Sequence, residues 1–283
     1  MSDARTFLVT GGNTGIGLAT ATALARGGGR VYIACRSAQR GTAAVSAIKT
    51  ASGSDSVALL PLDLASLASV RDCGASFLAR DEPLHVLVNN AGVGGQRGLT
   101  AEGFELQFGV NHLGHFALTM LLLDRLAESG RGAEGRGARV VNVSSDSHYS
   151  AKGIDFDAVK QRTSFTGIRE YAVSKLCNVL FTQELARRLG DGAGVTTYAL
   201  HPGVVASDIW RRLPAIVRPL VTRRMLTTEE GARTSVYCGT SAEVAPQTGL
   251  FYDKCQVRPA SQVATPELAK QLWKHSAEWT GLG

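Results

Sequence analysis

The chain has 283 residues, 44% of them apolar and 19% charged, with a mean hydropathy of +0.02. That is long enough to bury a large core and too apolar for a disordered chain, and 32 glycines without a G-x-y period exclude a collagen-like fibre. The 30 basic residues outnumber the 24 acidic ones, for a net charge of +6, but they are dispersed along the chain, which suits a small anionic ligand and not nucleic acid.

In chain order, Met1–Thr6 is too short and polar for a signal peptide, and no apolar run reaches the roughly 18–20 residues that span a bilayer. The expectation is a cytoplasmic protein. Cys35, Cys73, Cys177, Cys238 and Cys255 never form a C-x-x-C, which fits free thiols better than disulfides or zinc. Thr6–Thr10 (TFLVT) reads as a first strand and 15–27 as the helix after it. Between them runs Gly11-Gly12-Asn13-Thr14-Gly15-Ile16-Gly17. Glycines there allow a tight turn and let a pyrophosphate approach bare N–H groups at a helix N-terminus, although the spacing is G-x-x-x-G-x-G and not G-x-G-x-x-G.

Arg30–Cys35 (RVYIAC) is the second predicted strand. In an NAD site an acid at its end would hold the ribose 2′-hydroxyl. Here Arg36 follows, with Arg40 one helical turn on in the predicted helix 38–51, a pattern that suits the 2′-phosphate of NADP(H). Such a charge-assisted pair contributes about 1.5–3 kcal/mol. After a third strand, Ser56–Leu60, Asp63-Leu64 stands where a side chain could bond adenine, or where Asp63 could serve the start of the helix 66–80.

A fourth strand (His85–Val88) runs into Asn89-Asn90-Ala91-Gly92, and a helical pattern covers 102–127. The Gly-rich stretch Ser129–Arg139 reads as a surface loop at the strands' amino ends, away from the ligand crevice. Strand five (Arg139–Val143) ends at Ser144-Ser145, whose hydroxyls could bond a substrate carbonyl oxygen. On the predicted helix 170–189, Tyr171 and Lys175 stand at i and i+4 on one face. A nearby cation lowers a phenol's pKa toward the range where a general acid works. Strand six (Val195–Leu200) ends at His201-Pro202-Gly203-Val204, a turn able to present backbone groups to a nicotinamide amide. A seventh strand, Gly249–Tyr252, and a closing helix, 266–279, complete the pattern.

Apolar strands alternating with helices predict an α/β fold: one domain over 1–283, a doubly wound parallel sheet of seven strands with helices on both faces. All the candidate turns then lie at strand carboxyl ends, where such sheets bind ligands. No metal site is predicted; His112, His115, His148 and His201 read as structural or loop histidines.

The ordered set TGGNTGIG (10–17), NNAG (89–92), Asn111 within VNHLG (110–114), VNVSS (141–145), YAVSK (171–175) and HPG (201–203) resembles the short-chain dehydrogenase/reductase family over essentially the whole length. NHLGHFALTMLLL (111–123), SKLCNVLFTQELARRL (174–189) and EEGARTSVYC (229–238) look like its retinol-dehydrogenase-like branch. The resemblance implies a Rossmann fold and reduction of an aldehyde or ketone by NADPH. It gives Tyr171 as proton donor, Lys175 as the group that lowers its pKa and holds the nicotinamide ribose, and Ser145 as the group that polarises the carbonyl. Asn111 would anchor a water that relays protons to Lys175, Asn90 would support the adenosine side, and Val204 the nicotinamide end. A small carbonyl or alcohol substrate and a homo-oligomer paired through 102–127 and 170–189 are also implied.

The stretch 207–228, where this family keeps a substrate lid, carries Arg211, Arg212, Arg218, Arg223 and Arg224 among large apolar residues. It could touch a membrane surface or guide lipophilic or anionic substrates, or the arginines could simply solubilise a surface helix. Two rival functions are a redox-sensing binding protein without turnover, opposed by the presence of Tyr171 and Lys175, and a lyase or epimerase, opposed by the short chain.

Overall fold

The computed structural model describes residues 5–132, 137–161, 164–204 and 226–283. The Val-, Ile- and Leu-rich runs form β1 (Thr6–Thr10), β2 (Arg30–Cys35), β3 (Val57–Pro61), β4 (Val86–Asn89), β5 (Ala138–Val143), β6 (Val195–His201) and β7 (Leu250–Asp253). They pair in parallel in the order β3-β2-β1-β4-β5-β6-β7. The sheet has eight strands, not the expected seven, because β8 (Gln256–Val257) pairs antiparallel with β7. The two-residue turn between them holds Lys254 at φ 50° and Cys255 at φ 61°. That left-handed pair matches the strand twist and is usually announced by Asn-Gly or Gly-Gly.

The described helices are α1 (Gly15–Arg26), α2 (Ala38–Ser52), α3 (Leu67–Leu78), α4 (Leu106–Phe108), α5 (Gly114–Gly132), α6 (Ile168–Leu189), α7 (Thr228–Thr240) and α8 (Pro266–Thr280). Alternate strand residues feed two cores. Leu8, Leu60, Leu87 and Val140 pack with Phe77 of α3, Phe116 of α5 and Phe181 of α6. Phe7, Val9, Ile33, Val88 and Val141 pack with Leu24 of α1, Ile48 of α2 and Cys238 of α7. Each large aliphatic side chain buried this way contributes about 1.5–3 kcal/mol.

The helical pattern over 102–127 resolves into three pieces: α4, a π-helical turn Gly109–Leu113, and α5. A Cβ at Gly114 would come within 2.7 Å of Leu64 O, so only glycine lets the helix lie this close to the Asp63-Leu64 loop. α5 then runs on to Gly132, which corrects the expectation of a loop from Ser129. Ser129 is buried, its hydroxyl donating to Arg125 O at 2.6 Å and accepting from Leu84 N–H at 2.9 Å. Ser129→Ala strips Leu84 of its acceptor, and a loss of about 1–2 kcal/mol is expected. Thermal unfolding reads it, and an unchanged Tm would contradict the assignment.

α7, opened by a Thr227/Glu230 capping box, is a helix that the apolar spacing did not announce. α8 covers the outside of the α5 and α6 pair. Trp273 packs edge-on to Phe116 and tilted against Phe181, with Arg188 over its other side, and His112 Nε2 meets Ser276 Oγ at 2.9 Å. A second copy pairing through these helices, as the resemblance implies, would meet α8.

The lid expected over 207–228, with Arg211, Arg212, Arg218, Arg223 and Arg224 and its proposed membrane contact, lies outside the described residues as far as 225. The chain departs at Val204 and returns at Leu226, whose N–H donates to Val204 O at 2.9 Å. Among the described residues no helix is long and apolar enough to cross a membrane.

Candidate active site

Strand order reverses between β1 and β4, and the turns that follow these two strands meet at the crevice this creates. Gly11 (φ 67°) and Gly15 (φ 54°) take the left-handed conformation in the turn between β1 and α1. A Cβ at Gly17 would collide with Asn90 Nδ2 and Gly11 O. Asn90 ties the turns together: its N–H donates to Thr10 Oγ1 at 2.9 Å and its Nδ2 to Thr10 O at 2.8 Å. Asn13, Thr14 and Ile16 line the same turn, and the first N–H groups of α1 have no acceptor within the helix. The result is a glycine-specific hollow at a helix N-terminus, which fits the pyrophosphate of a dinucleotide.

Arg36 lies exposed just beyond β2, with Arg40 exposed in the first turn of α2. Neither has a carboxylate partner among the described residues. Asp63 follows β3; its Oδ1 accepts from Ala65 N–H at 3.0 Å, and its own N–H donates to Ser69 Oγ at 2.9 Å. The N-cap of α3 is Ser66, so Asp63 shapes the turn ahead of the helix, and an adenine contact would fall to its other oxygen. Leu64 is buried under Gly114. Pro202, Gly203 (φ 87°) and Val204 continue from β6, with Val204 exposed; a Cβ at Gly203 would strike Leu226.

Ser145, Tyr171 and Lys175 come together as their spacing predicts. Lys175 Nζ is buried, donates to Val143 O at 3.1 Å and lies 5.5 Å from the centre of the Tyr171 ring. Ser145 Oγ donates to Ser147 Oγ at 3.2 Å, accepts from Ser147 N–H at 3.1 Å, and lies near enough to the phenol to influence its ionisation. A Cβ at Gly92 would meet both Asn111 Oδ1 (3.3 Å) and Lys175 Nζ (3.5 Å), so the turn after β4 passes directly over this group. Burial pushes the Tyr171 phenol above its ordinary range, and the nearby Ser145 hydroxyl pulls it back only in part. Burial lowers Lys175 to about 8. The expected depression of the phenol by Lys175 is not seen: the ammonium sits over the ring face, and burial, which makes a phenolate cost more than the phenol, sets the direction.

Asn111 sits in the π turn, a feature frequent at functional sites. Its carboxamide accepts from Val93 N–H at 2.8 Å and donates to Val93 O and Ser174 Oγ at 2.9 Å each. Its backbone carbonyl meets His115 Nδ1 at 3.1 Å. Since a carbonyl only accepts, His115 carries its proton on Nδ1, and Thr10 Oγ1 donates to its Nε2 at 2.8 Å.

Several supporting residues were not singled out from the sequence. Asn178, one turn beyond Lys175, also donates to Val143 O at 3.1 Å, and its i+3 spacing is the signal that could have found it. Ser144, which the sequence offered beside Ser145 as a hydroxyl for the carbonyl, instead donates its Oγ to Lys175 O at 2.7 Å. Beneath them Asn89 donates to Thr119 Oγ1 and Asn142 Oδ1, and Asn142 to Thr182 Oγ1, a buried polar ladder across β4 and β5. No sequence pattern announces that ladder.

Comparison with known proteins gives the family and the fold. The family model for short chain dehydrogenase matches residues 5–216. Retinol dehydrogenase 12 of Mus musculus is 42% identical over 282 residues, 98% of this chain and 87% of the relative. A crystal structure of an uncharacterized protein from Mycobacterium Paratuberculosis superposes with a TM-score of 0.77 at 33% identity, over 99% of this chain and 95% of its own. The Pseudomonas aeruginosa RhlG/NADP active-site complex gives a TM-score of 0.69 at 26% identity, over 93% of this chain and 98% of its own.

Proposed function

Because the chain belongs to the short-chain dehydrogenase/reductase family, in its retinol-dehydrogenase-like branch, and is thereby an oxidoreductase, we propose that it interconverts a lipophilic aldehyde or ketone and its alcohol with NADP(H). The observation that carries this reading is the convergence of Tyr171, Ser145 and Lys175 beside Gly92 and Asn111 at the carboxyl edge of the sheet. The names of the relatives support the substrate class. Arg36, in place of an acid, supports NADP(H), as does the NADP in the RhlG complex.

Bound on the glycine turn, the dinucleotide supplies the hydride. The chain's own residues manage the proton and the oxygen. Tyr171 is kept as neutral phenol by burial, so it holds a proton ready for the oxygen of the reacting carbonyl. Ser145 donates to the same oxygen and steadies the charge that develops there. Lys175, cationic below about pH 8, offsets the phenolate left behind and would hold the nicotinamide ribose. Pro202, Gly203 and Val204 would hold the nicotinamide end, and Asn90, Asp63 and Leu64 the adenosine side.

Lys175 gives the reaction its basic limit. Its pKa falls from the ordinary lysine range to about 8, so the ammonium is present below that pH and lost as pH rises through it. The kcat/KM for reduction is expected to fall about tenfold per unit above pH 8, before the raised Tyr171 phenol ionises. A profile flat from pH 7 to 10 would contradict this. The function itself is tested by following NADPH absorbance against a panel of lipid aldehydes, retinoid aldehydes and ketones, with NADH as control. Oxidation of NADPH by at least one carbonyl, faster than of NADH, is expected; an inert panel would overturn the reading.

A further inference from the structure

Ser145 stands on a single peptide unit held from both sides by imidazoles. The Ser145 carbonyl meets His148 Nδ1 at 2.7 Å, and the Asp146 N–H of the same peptide plane donates to His201 Nδ1 at 3.2 Å. Both protonation patterns follow from the partners. Ser261 N–H donates to His148 Nε2 at 3.2 Å, so that nitrogen offers a lone pair and Nδ1 carries the hydrogen that goes to Ser145 O. His201 must accept at Nδ1, so its hydrogen is on Nε2, 3.6 Å from Asp146 Oδ2.

The two rings are themselves fixed. His148 is fully buried, with its ring centre 3.9 Å from that of Tyr149 and 4.6 Å from that of Phe251. Asp146 is anchored to Arg258 at 3.1 Å, and Arg258 reaches Asp253 at 3.2 Å while lying over the Tyr149 ring. Burial lowers the pKa of both histidines, against the opposing pull of Asp146 on each and of Asp253 on His201. Arg258 lowers both further, and Lys254 lowers His201. The neutral rings that the geometry needs are thus the favoured forms.

We propose that His148 and His201 are positioning residues that clamp the Ser145–Asp146 peptide between a donor and an acceptor and so aim the Ser145 hydroxyl at the reacting carbonyl. The peptide plane sets ψ of Ser145, here 156°, and with it the direction of the Cα–Cβ bond that carries Oγ, while Ser147, whose N–H donates to Ser145 Oγ at 3.1 Å, holds the hydroxyl's rotamer. This rests on the function proposed above, in which Ser145 touches the carbonyl oxygen. Neither histidine reaches the chemistry except through that serine.

The test is a double-mutant cycle with an independent structural readout. His148→Phe keeps a ring but removes the donor, and His201→Phe removes the acceptor. Each is expected to lower kcat about 10–100-fold, the range that misplacing a reacting group by about an ångström produces, with KM for NADPH within about twofold. His148→Asn and His201→Asn, which keep a polar atom near the Nδ1 position, are expected to recover most of the loss. In a Ser145→Ala background the Phe changes should cost little more. Nitrogen-15 NMR of the wild-type rings should find His148 protonated on Nδ1 and His201 on Nε2 at pH 7, whatever the substrate. Wild-type kcat in the Phe variants, an undiminished loss in the Ser145→Ala background, failed recovery with Asn, or the opposite tautomers would each overturn the clamp. Full turnover in Ser145→Ala alone would instead overturn the role given to the serine.

Discussion

Tyr171→Phe is expected to lower carbonyl reduction at least about 100-fold while leaving the Kd for NADPH nearly unchanged. The change removes one oxygen from a half-buried ring that keeps its packing over Lys175, so the fold and the glycine turn around Gly11–Gly17 should not respond. What disappears is the phenol proton that burial holds in place beside Ser145. Ser145 and Lys175 remain in Tyr171→Phe, and polarisation by the serine with water as acid accounts for whatever rate survives. The measurement is kcat under saturating NADPH, with nucleotide binding followed separately by tryptophan fluorescence. A variant that turns over like the wild type would remove the phenol from the reaction and leave the convergence of Tyr171, Ser145 and Lys175 a packing motif.

How much of this was legible in the sequence depends on the range of the interaction. The strands show because Phe7, Leu8 and Val9 must all be buried between two helical layers, and a run of apolar residues records that directly. The Gly11–Gly17 turn and the Tyr171–Lys175 pair show because both are local: a tight turn needs glycines nearby, and a helix face repeats at four. β8 is silent because Lys254 and Cys255 accept left-handed backbone that glycine or asparagine would advertise. The π turn at Asn111 is silent because its cause is tertiary, the packing of Gly114 on Leu64 and the grip of Val93 on the asparagine. The clamp on Ser145 joins three strand ends and a loop near Ser261, residues over a hundred positions apart, which periodicity does not register. The sequence marks His148 and His201 only as structural or loop histidines, and what they hold becomes visible only when the Ser145–Asp146 peptide is seen between them.

Arg36→Asp is expected to lower the ratio of kcat/KM for NADPH to that for NADH by about 100-fold or more. Two effects act together. The guanidinium's pairing with a 2′-phosphate, about 1.5–3 kcal/mol or one to two decades, is lost, and the new carboxylate repels that phosphate while it can accept from the free 2′-hydroxyl of NADH. The position favours a clean result: Arg36 is exposed beyond the end of β2, ahead of the Ser37 cap of α2, and has no acidic partner among the described residues whose loss would disturb the fold. Steady-state kinetics with each cofactor and one carbonyl give the ratio, and an unchanged Tm excludes misfolding as the cause. Arg40 lies a turn away and keeps some attraction for the phosphate, so Arg36→Asp with Arg40→Ala should carry the preference further toward NADH. If the single change leaves the ratio where it was and the double change moves it, Arg40 is the 2′-phosphate ligand; if neither moves it, the choice of NADP(H) does not reside at the end of β2.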